Sequence, residues 1–480
     1  MLESKMNKNK ELAINTLILT IGKICTQFIS FLLLPLYTTF LSPNEFGIFD
    51  LLNTYVALLV PLFNWQFDNG MFRFMINYRN NKDIIKSFFS TVFIVNMGQV
   101  VLYLIFYILV QDFLTLDFKL YLALDVSINI ILNTLLQFPR GMGDNSTYAF
   151  GSFVSATSIV ILNVLFIVYF KLGILGMFLS TIIGKILTCI YLIIRMRLME
   201  YFSFRKFKKN VFKEVLKYSL PLVPNQLCWW VIDASDRTII SIFIGIAANG
   251  IYSVANKFSG LFVTFYNIFH LSWTESVSLH IKDEDSQEYI TGVINSSLSF
   301  FASVCFGIIV ILPFVFNIFV NENYKASYNQ IPILLVAVLF QVIVGLYSVI
   351  YTAYKKSVEI MKTSIYSAII NIVTNLIMIK FIGLYAASFS TLIAYMTMAI
   401  YRYFHVRKYI NIRIEKKLFL LISIMGTVSI LSYYLRILII HIIAFLIIVI
   451  LAAIINQKLL NNLLVTLKHF FKNIKKRNCK

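Results

Sequence analysis

Fourteen stretches of this chain are long and apolar enough to cross a bilayer, and that limits the fold before any motif is weighed. A spanning helix needs about 20 mostly apolar residues. Such runs occur at 12–41, 46–76, 85–110, 118–138, 146–170, 174–197, 214–243, 249–274, 289–316, 329–352, 360–380, 384–404, 417–434 and 437–456. Backbone groups in hydrocarbon must be satisfied within their own segment, which permits helices and forbids open sheets. The expected class is an all-α polytopic membrane protein with about 14 transmembrane helices. Composition agrees, with 59% of residues hydrophobic and 13% charged, against roughly 45–50% and 25% in soluble domains. A net charge of +20 would suggest nucleic acid in a soluble protein. Here the cations gather in loops on one side of the membrane, and no nucleic-acid partner is expected.

Loop charge gives orientation. With the N-terminus in the cytoplasm, thirty-two Lys and Arg fall in inward segments. Outward turns hold five: Lys119, Lys171, Lys325, Lys380 and Arg436. That bias places both termini in the cytoplasm. The Lys-rich start lacks a cleavage site, so the first apolar run reads as an uncleaved helix. The longest basic segment, Arg195 to Lys217, contains Arg205-Lys206-Phe207-Lys208-Lys209 and reads as an amphipathic link on the inner surface, drawn to anionic lipid.

The chain also repeats itself. Phe40 to Asn64 can be laid on Phe243 to Asn267 without a gap, matching Gly47 with Gly250 and Asn53 with Asn256. Further on, Gly173, Ser180-Thr181, Tyr191 and Arg197 match Gly383, Ser390-Thr391, Tyr401 and Arg407. Tandem duplication of apolar segments is a construction of secondary transporters, with the substrate site between the repeats. The expected organisation is an N-terminal lobe at 1–200, a basic linker at 201–217, a C-terminal lobe at 218–410, two extra spans within 411–457 and a basic tail at 458–480. Six spans per lobe is an even number, so the lobes form a parallel pseudo-repeat.

Chemistry of the enzymatic kind is not legible. The five histidines show no metal-ligand spacing, there is no phosphate-binding glycine loop before a lysine, and the five cysteines read as small hydrophobes. No enzyme activity, cofactor or metal is expected.

Charges inside spans carry more information, because a Lys or Arg at the bilayer centre costs about 3 kcal/mol and normally faces water or a partner. Once the cations at span ends are counted with the inward and outward segments, five remain inside the spans: Lys23, Arg73, Lys185, Arg237 and Lys257. Lys23 shares a helix face with Thr16, Gln27 and Ser30, and Lys185 with Thr181, Gly184 and Thr188. Asp125, Asn129, Asn133 and Gln137 recur every four residues, and Asn371, Thr374 and Asn375 cluster. These stripes suggest a hydrated path; interhelical hydrogen bonding is the alternative. Pro221 and Pro224 are expected to bend the seventh span. Asp233 and Arg237, four apart, can pair. Asp125, Asp233 and Asp236 are ion-coupling candidates. A positive interior favours an anionic substrate, with phosphate attracted strongly in a partly wet cavity.

The motifs Leu33-Leu34-Pro35-Leu36-Tyr37, Glu45-Phe46-Gly47-Ile48-Phe49, Phe72-Arg73-Phe74, Tyr218-Ser219-Leu220-Pro221-Leu222-Val223-Pro224, Asp236-Arg237 and Asn249-Gly250-Ile251-Tyr252-Ser253-Val254-Ala255-Asn256-Lys257 resemble those of the Wzx-type polysaccharide flippases of the MOP exporter superfamily. The resemblance runs over nearly the whole chain. It implies two six-helix lobes in a V plus two extra helices, in a bacterial inner membrane. The implied activity is moving undecaprenyl-diphosphate-linked oligosaccharides for O-antigen or capsule to the outer leaflet by alternating access. Lys23, Gln27, Arg73, Lys185, Arg237 and Lys257 would bind the diphosphate or glycan. Membrane lipid, a polysaccharide polymerase and a chain-length regulator are implied partners, and the chain is expected to act as a monomer. Three other readings stay open: a lipid II flippase, a multidrug exporter of the same superfamily, and a polysaccharide polymerase, which would usually carry a large outer loop.

Overall fold

The computed structural model describes residues 31–113, 117–281, 283–354, 356–457 and 459–461. Their regular structure is helical throughout. The longer helices are α1 (Leu34–Phe40), α2 (Pro43–Asn64), α3 (Phe67–Met75), α4 (Lys82–Val110), α5 (Leu120–Met142), α6 (Asn145–Asn163) and α7 (Gly173–Arg195). After the linker come α8 (Lys209–Ser219), α9 (Leu222–Phe243), α10 (Ile246–His280), α11 (Ser286–Phe319), α12 (Ile331–Ala353), α13 (Ser357–Ile382), α14 (Tyr385–Val406), α15 (Lys416–Leu435) and α16 (Leu438–Ile455). Among the described residues, ten helical segments are long and apolar enough to cross a membrane. α9 misses that criterion because Asp233, Asp236 and Arg237 crowd one stretch. The chain is an all-helical polytopic membrane protein.

Two compact units emerge. One comprises the residues up to Lys257 with Val320–Lys325 and Ile372–Ala387; the other comprises Phe258–Phe319, Ala326–Asn371 and the residues from Ser388. Each has its own packing. In the first unit one core gathers Phe67, Met71, Phe88, Phe89, Phe138, Leu192 and Val215, and another gathers Leu52, Tyr103, Tyr121, Ile130 and Phe178. In the second, α15 and α16 pack on α11.

The duplication is visible in the backbone. The matched positions Pro43 and Ile246 both begin helices, α2 and α10. Gly173, which opens α7, and Gly383, just before α14, both adopt the left-handed region, at φ 55° and 56°, a conformation that favours glycine because it lacks Cβ. Gly47 and Gly250 also match, and they meet. A Cβ on Gly47 would overlap the carbonyl oxygen of Ile246, and one on Gly250 would overlap the carbonyl oxygen of Pro43, the position matched to Ile246. Asn249 adds a hydrogen bond from Nδ2 to the Gly47 oxygen at 3.0 Å. Lipid offers little hydrophobic drive for helix association, so such close backbone approach is how these helices gain dispersion contacts.

Two breaks differ from the sequence reading. The run 46–76 is two helices, because Trp65 and Gln66 adopt φ 50° and 57° between α2 and α3. Positive φ at two non-glycine residues is strained. Polar groups hold it in place: Gln99 Nε2 donates to the last carbonyl of α2, Asn64 O, at 3.1 Å, and Asn64 Nδ2 donates to Asp68 Oδ1 at 3.0 Å. The run 214–243 is likewise divided, between α8 and α9. Pro221 caps α9 and Pro224 sits in its first turn, where a missing N–H costs nothing. The prolines start this helix and do not bend it.

The basic linker is laced to α4. Ser87 Oγ and Ser90 Oγ donate to the carbonyls of Lys206 and Tyr201 at 3.0 Å, and Lys208 N donates to Thr91 Oγ1 at 3.1 Å. The apolar stripe of α8, Val211 and Val215, packs into the protein core beside α3. Gly70 admits that approach, since a Cβ there would overlap Ser219 Oγ. Lys209, Lys213 and Lys217 remain exposed.

Arg402, which loop counting assigns to the cytoplasm, is instead fully buried in the second unit. Nε donates to Thr363 Oγ1 at 3.1 Å, Nη1 to Val344 O at 3.2 Å and to Ser348 Oγ, and Nη2 to Thr363 Oγ1 at 2.6 Å and Ile360 O at 3.4 Å. Among the described residues no carboxylate pairs with it. Its repeat counterpart, by the register of Gly173 with Gly383, is Leu192, also fully buried. The fold therefore accepts an apolar residue here. Thr363 and Ser348 keep carbonyl acceptors one turn back in their own helices. Arg402→Leu is expected to fold with stability within about 1 kcal/mol of the parent, since buried ions are often neutral to replace. Leu192→Arg should lose about 3 kcal/mol or more, for want of acceptors. Thermal unfolding of the two purified variants checks both.

Candidate functional site

The first unit contains a polar cavity of about 320 Å³ among apolar helices. α2 contributes Asn53, Val56, Ala57, Val60 and Pro61, and the strained break contributes Gln66. α5 contributes Asp125, Asn129 and Asn133, α7 contributes Lys185, and α9 contributes Gln226. Three members of the four-residue stripe on α5 thus face one space. The fourth, Gln137, accepts a hydrogen bond from Arg140 at 3.4 Å and does not line it.

An ion pair lies at the wall. Lys185 Nζ donates to Asp125 Oδ1 at 2.6 Å, with the Asp125 side chain fully buried and Lys185 15% exposed. Asn129 Nδ2 donates to Asp125 Oδ2 at 3.1 Å, and Tyr121 Oη donates to Asn53 Oδ1 at 3.0 Å. These groups come from different helices and form one hydrogen-bonded lining. In a low dielectric such a pair is strong only while both members and their hydrogen bonds are present. Anything that draws Lys185 away leaves Asp125 buried without its cation.

A second charged group sits where α9 packs on α2. Arg237 Nε donates to Asp50 Oδ2 at 2.8 Å, both side chains about five-sixths buried, and Nη1 donates to the main-chain oxygen of Asp233 at 2.9 Å. Trp230 Nε1 donates to Thr54 O at 2.8 Å on the same face. The anticipated Asp233–Arg237 carboxylate pair is thus replaced by a bond across to Asp50, 187 residues away in sequence. Lys257 is half-buried and within electrostatic range of Asp50 and Arg237. Asp236 also lies within electrostatic range of Arg237, so the two cations here face two carboxylates, Asp50 and Asp236. Asp236 is buried and accepts from Tyr252 Oη at 3.1 Å and Asn375 Nδ2 at 2.8 Å.

A family model described as polysaccharide biosynthesis protein matches residues 12–274, more than half of the chain and all of the helices lining this cavity. The chain belongs to that family. This polysaccharide biosynthesis protein also resembles solved transporters of the MOP superfamily. An inward-facing multidrug resistance MATE family transporter aligns with TM-score 0.69 at 13% identity, over 85% of this chain and 99% of that one. The lipid II flippase MurJ, in an inward closed conformation, aligns with TM-score 0.67 at 18% identity, over 93% and 99%. A MOP superfamily transporter from Pyrococcus furiosus, described as having a binding pocket of reversed polarity, aligns with TM-score 0.55 at 13% identity, over 82% and 95%. A comparison with curated proteins finds no match. At these identities the likeness establishes the fold: the family member has the helical architecture of MOP superfamily transporters.

Of the residues singled out from sequence, Lys185 and Asp125 come together in the cavity, and Arg237 and Lys257 lie near one another around Asp50. Arg73 is exposed on α3 and does not line the cavity. Asp233 is exposed and Asp236 is buried in its own hydrogen-bonded cluster. Lys23 and Gln27 lie outside the described residues. Sequence reasoning missed Asp50 and Gln66. Asp50 had a signal, a carboxylate inside an apolar span, but no Lys or Arg lies on its own helix to mark it as half of a pair. Gln226 was noted only as the repeat counterpart of Lys23, and it faces the cavity.

Proposed function

We propose that this protein flips undecaprenyl-diphosphate-linked oligosaccharide repeat units across the bacterial cytoplasmic membrane by alternating access. The observation that carries the proposal is the hydrogen-bonding cavity with Lys185 and Asp125 paired at its wall. A diphosphate is a better partner for an ammonium than a single carboxylate, because it brings more charge and more acceptor oxygens. On its arrival Lys185 exchanges Asp125 for phosphate. Release returns Lys185 to Asp125. Asn53, Asn129, Asn133 and Gln226 supply neutral donors and acceptors for sugar hydroxyls. Arg237 and Lys257 supply a second pair of cations, and Lys23, Gln27 and Arg73 remain assigned to the substrate path. Export to the outer leaflet would feed a polysaccharide polymerase and a chain-length regulator.

A second reading, flipping of the peptidoglycan precursor lipid II, draws support from coverage. The lipid II flippase aligns over 93% of this chain, against 85% for the MATE transporter. Gene deletion separates the two. A viable deletion strain lacking surface polysaccharide is the expected result, and lethal arrest of wall growth would favour lipid II. Complementation with Arg237→Ala should leave protein in the membrane and restore no polysaccharide; normal display would remove Arg237 from the path.

A further inference from the structure

The second unit holds a cavity of about 840 Å³ that the transport reading leaves unused. Its walls include Phe306, Phe340, Ile343, Ile400, Phe419 and Ile430, from α11, α12, α14 and α15. Ser423 and Thr427 also line it, yet each hydroxyl donates to a carbonyl one turn back, at 2.9 Å and 3.0 Å. The wall is therefore apolar in effect, and its floor is lowered by Gly426, whose absent side chain leaves room beside the Phe306 ring. Charge gathers at one end. Lys416 lines the mouth, and the Arg407 guanidinium lies 5.5 Å over the ring of Tyr403, which also lines the cavity. Glu415 lines a separate polar cavity with Lys417.

Length identifies the occupant. From Lys416 to Ile430, α15 rises about 21 Å. The hydrocarbon of one leaflet is about 15 Å deep. A groove with a cationic mouth and an apolar body reaching through one leaflet matches one lipid of that leaflet, and a polyprenyl carrier is much longer than the groove. We propose that this cavity binds an anionic phospholipid from the leaflet on the Lys416 side, one acyl chain lying along α15 and the phosphate meeting Lys416 and Arg407. The bound chain fills the space between α15 and the α12–α14 face.

Native mass spectrometry of the full-length protein, released from nanodiscs of equimolar phosphatidylglycerol and phosphatidylcholine, tests this. One retained phosphatidylglycerol per chain is expected, preferred about tenfold over phosphatidylcholine. Lys416→Glu with Arg407→Glu should bring the preference to parity while a lipid is still retained. Ser423→Trp, on an exposed position of α15, should lose both lipids; Thr427→Trp serves if that variant fails to fold. Three results would overturn the assignment: no headgroup preference in the parent, undiminished phosphatidylglycerol in a folded tryptophan variant, or displacement of the phospholipid by equimolar undecaprenyl phosphate. The last would identify the carrier as the occupant.

Discussion

Replacing Gly47 or Gly250 by alanine is expected to cost about 3 kcal/mol or more, the upper range for overpacking, because the obstacle is main chain and not a side chain that can rotate. The two glycines are equivalent in the duplication, and each one's missing Cβ is the space occupied by a carbonyl of the other's helix. Neither helix can retreat without breaking the Asn249 bond to Gly47 and opening a gap along the crossing. Gly98→Ala is the control. Nothing lies within 4 Å of a Cβ there, and removing a helical glycine should be neutral or stabilising by up to about 1 kcal/mol. Thermal unfolding in one detergent measures all three. Equal behaviour of the three variants would mean that the close crossing is absent.

The second large effect concerns the ion pair of the cavity. Lys185→Met leaves Asp125 buried without its cation, and Asp125→Leu leaves Lys185 without its anion; each should cost about 3–5 kcal/mol. The double variant should be more stable than either single one, because two apolar side chains replace a pair that no longer needs neutralising. Polysaccharide export should fail in all three. Recovery of stability without recovery of export separates a role in transport from a role in folding, which single substitutions cannot do.

Much of the architecture is legible in the sequence, for identifiable reasons. The duplicated glycines Gly173 and Gly383 mark a backbone conformation, so a faint match in letters became the same φ in both copies. Apolar length fixed the spans because hydrocarbon thickness is constant. The break at Trp65–Gln66 escaped notice because lipid requires apolar residues on both sides of it, and neither residue is a helix breaker. Pro221 and Pro224 signalled a change of direction, but not whether it lay inside a helix or before one. Lys185 and Asp125 read as two separate candidates in the sequence; their closeness depends on how α5 and α7 rotate, which a stripe alone does not fix. Arg402 lies at the end of the apolar run 384–404, where a helix's last turn looks the same in sequence whether its side chain points outward or into the core.

The cavity's role is tested most directly in proteoliposomes containing the full-length protein and a labelled undecaprenyl-diphosphate oligosaccharide, with flipping read by accessibility of the label to a membrane-impermeant reagent. The parent should move the lipid, and the folded Lys185→Met/Asp125→Leu protein should leave it where it was placed. Transport by that double variant at the parent's rate would contradict the assignment of this cavity to the diphosphate.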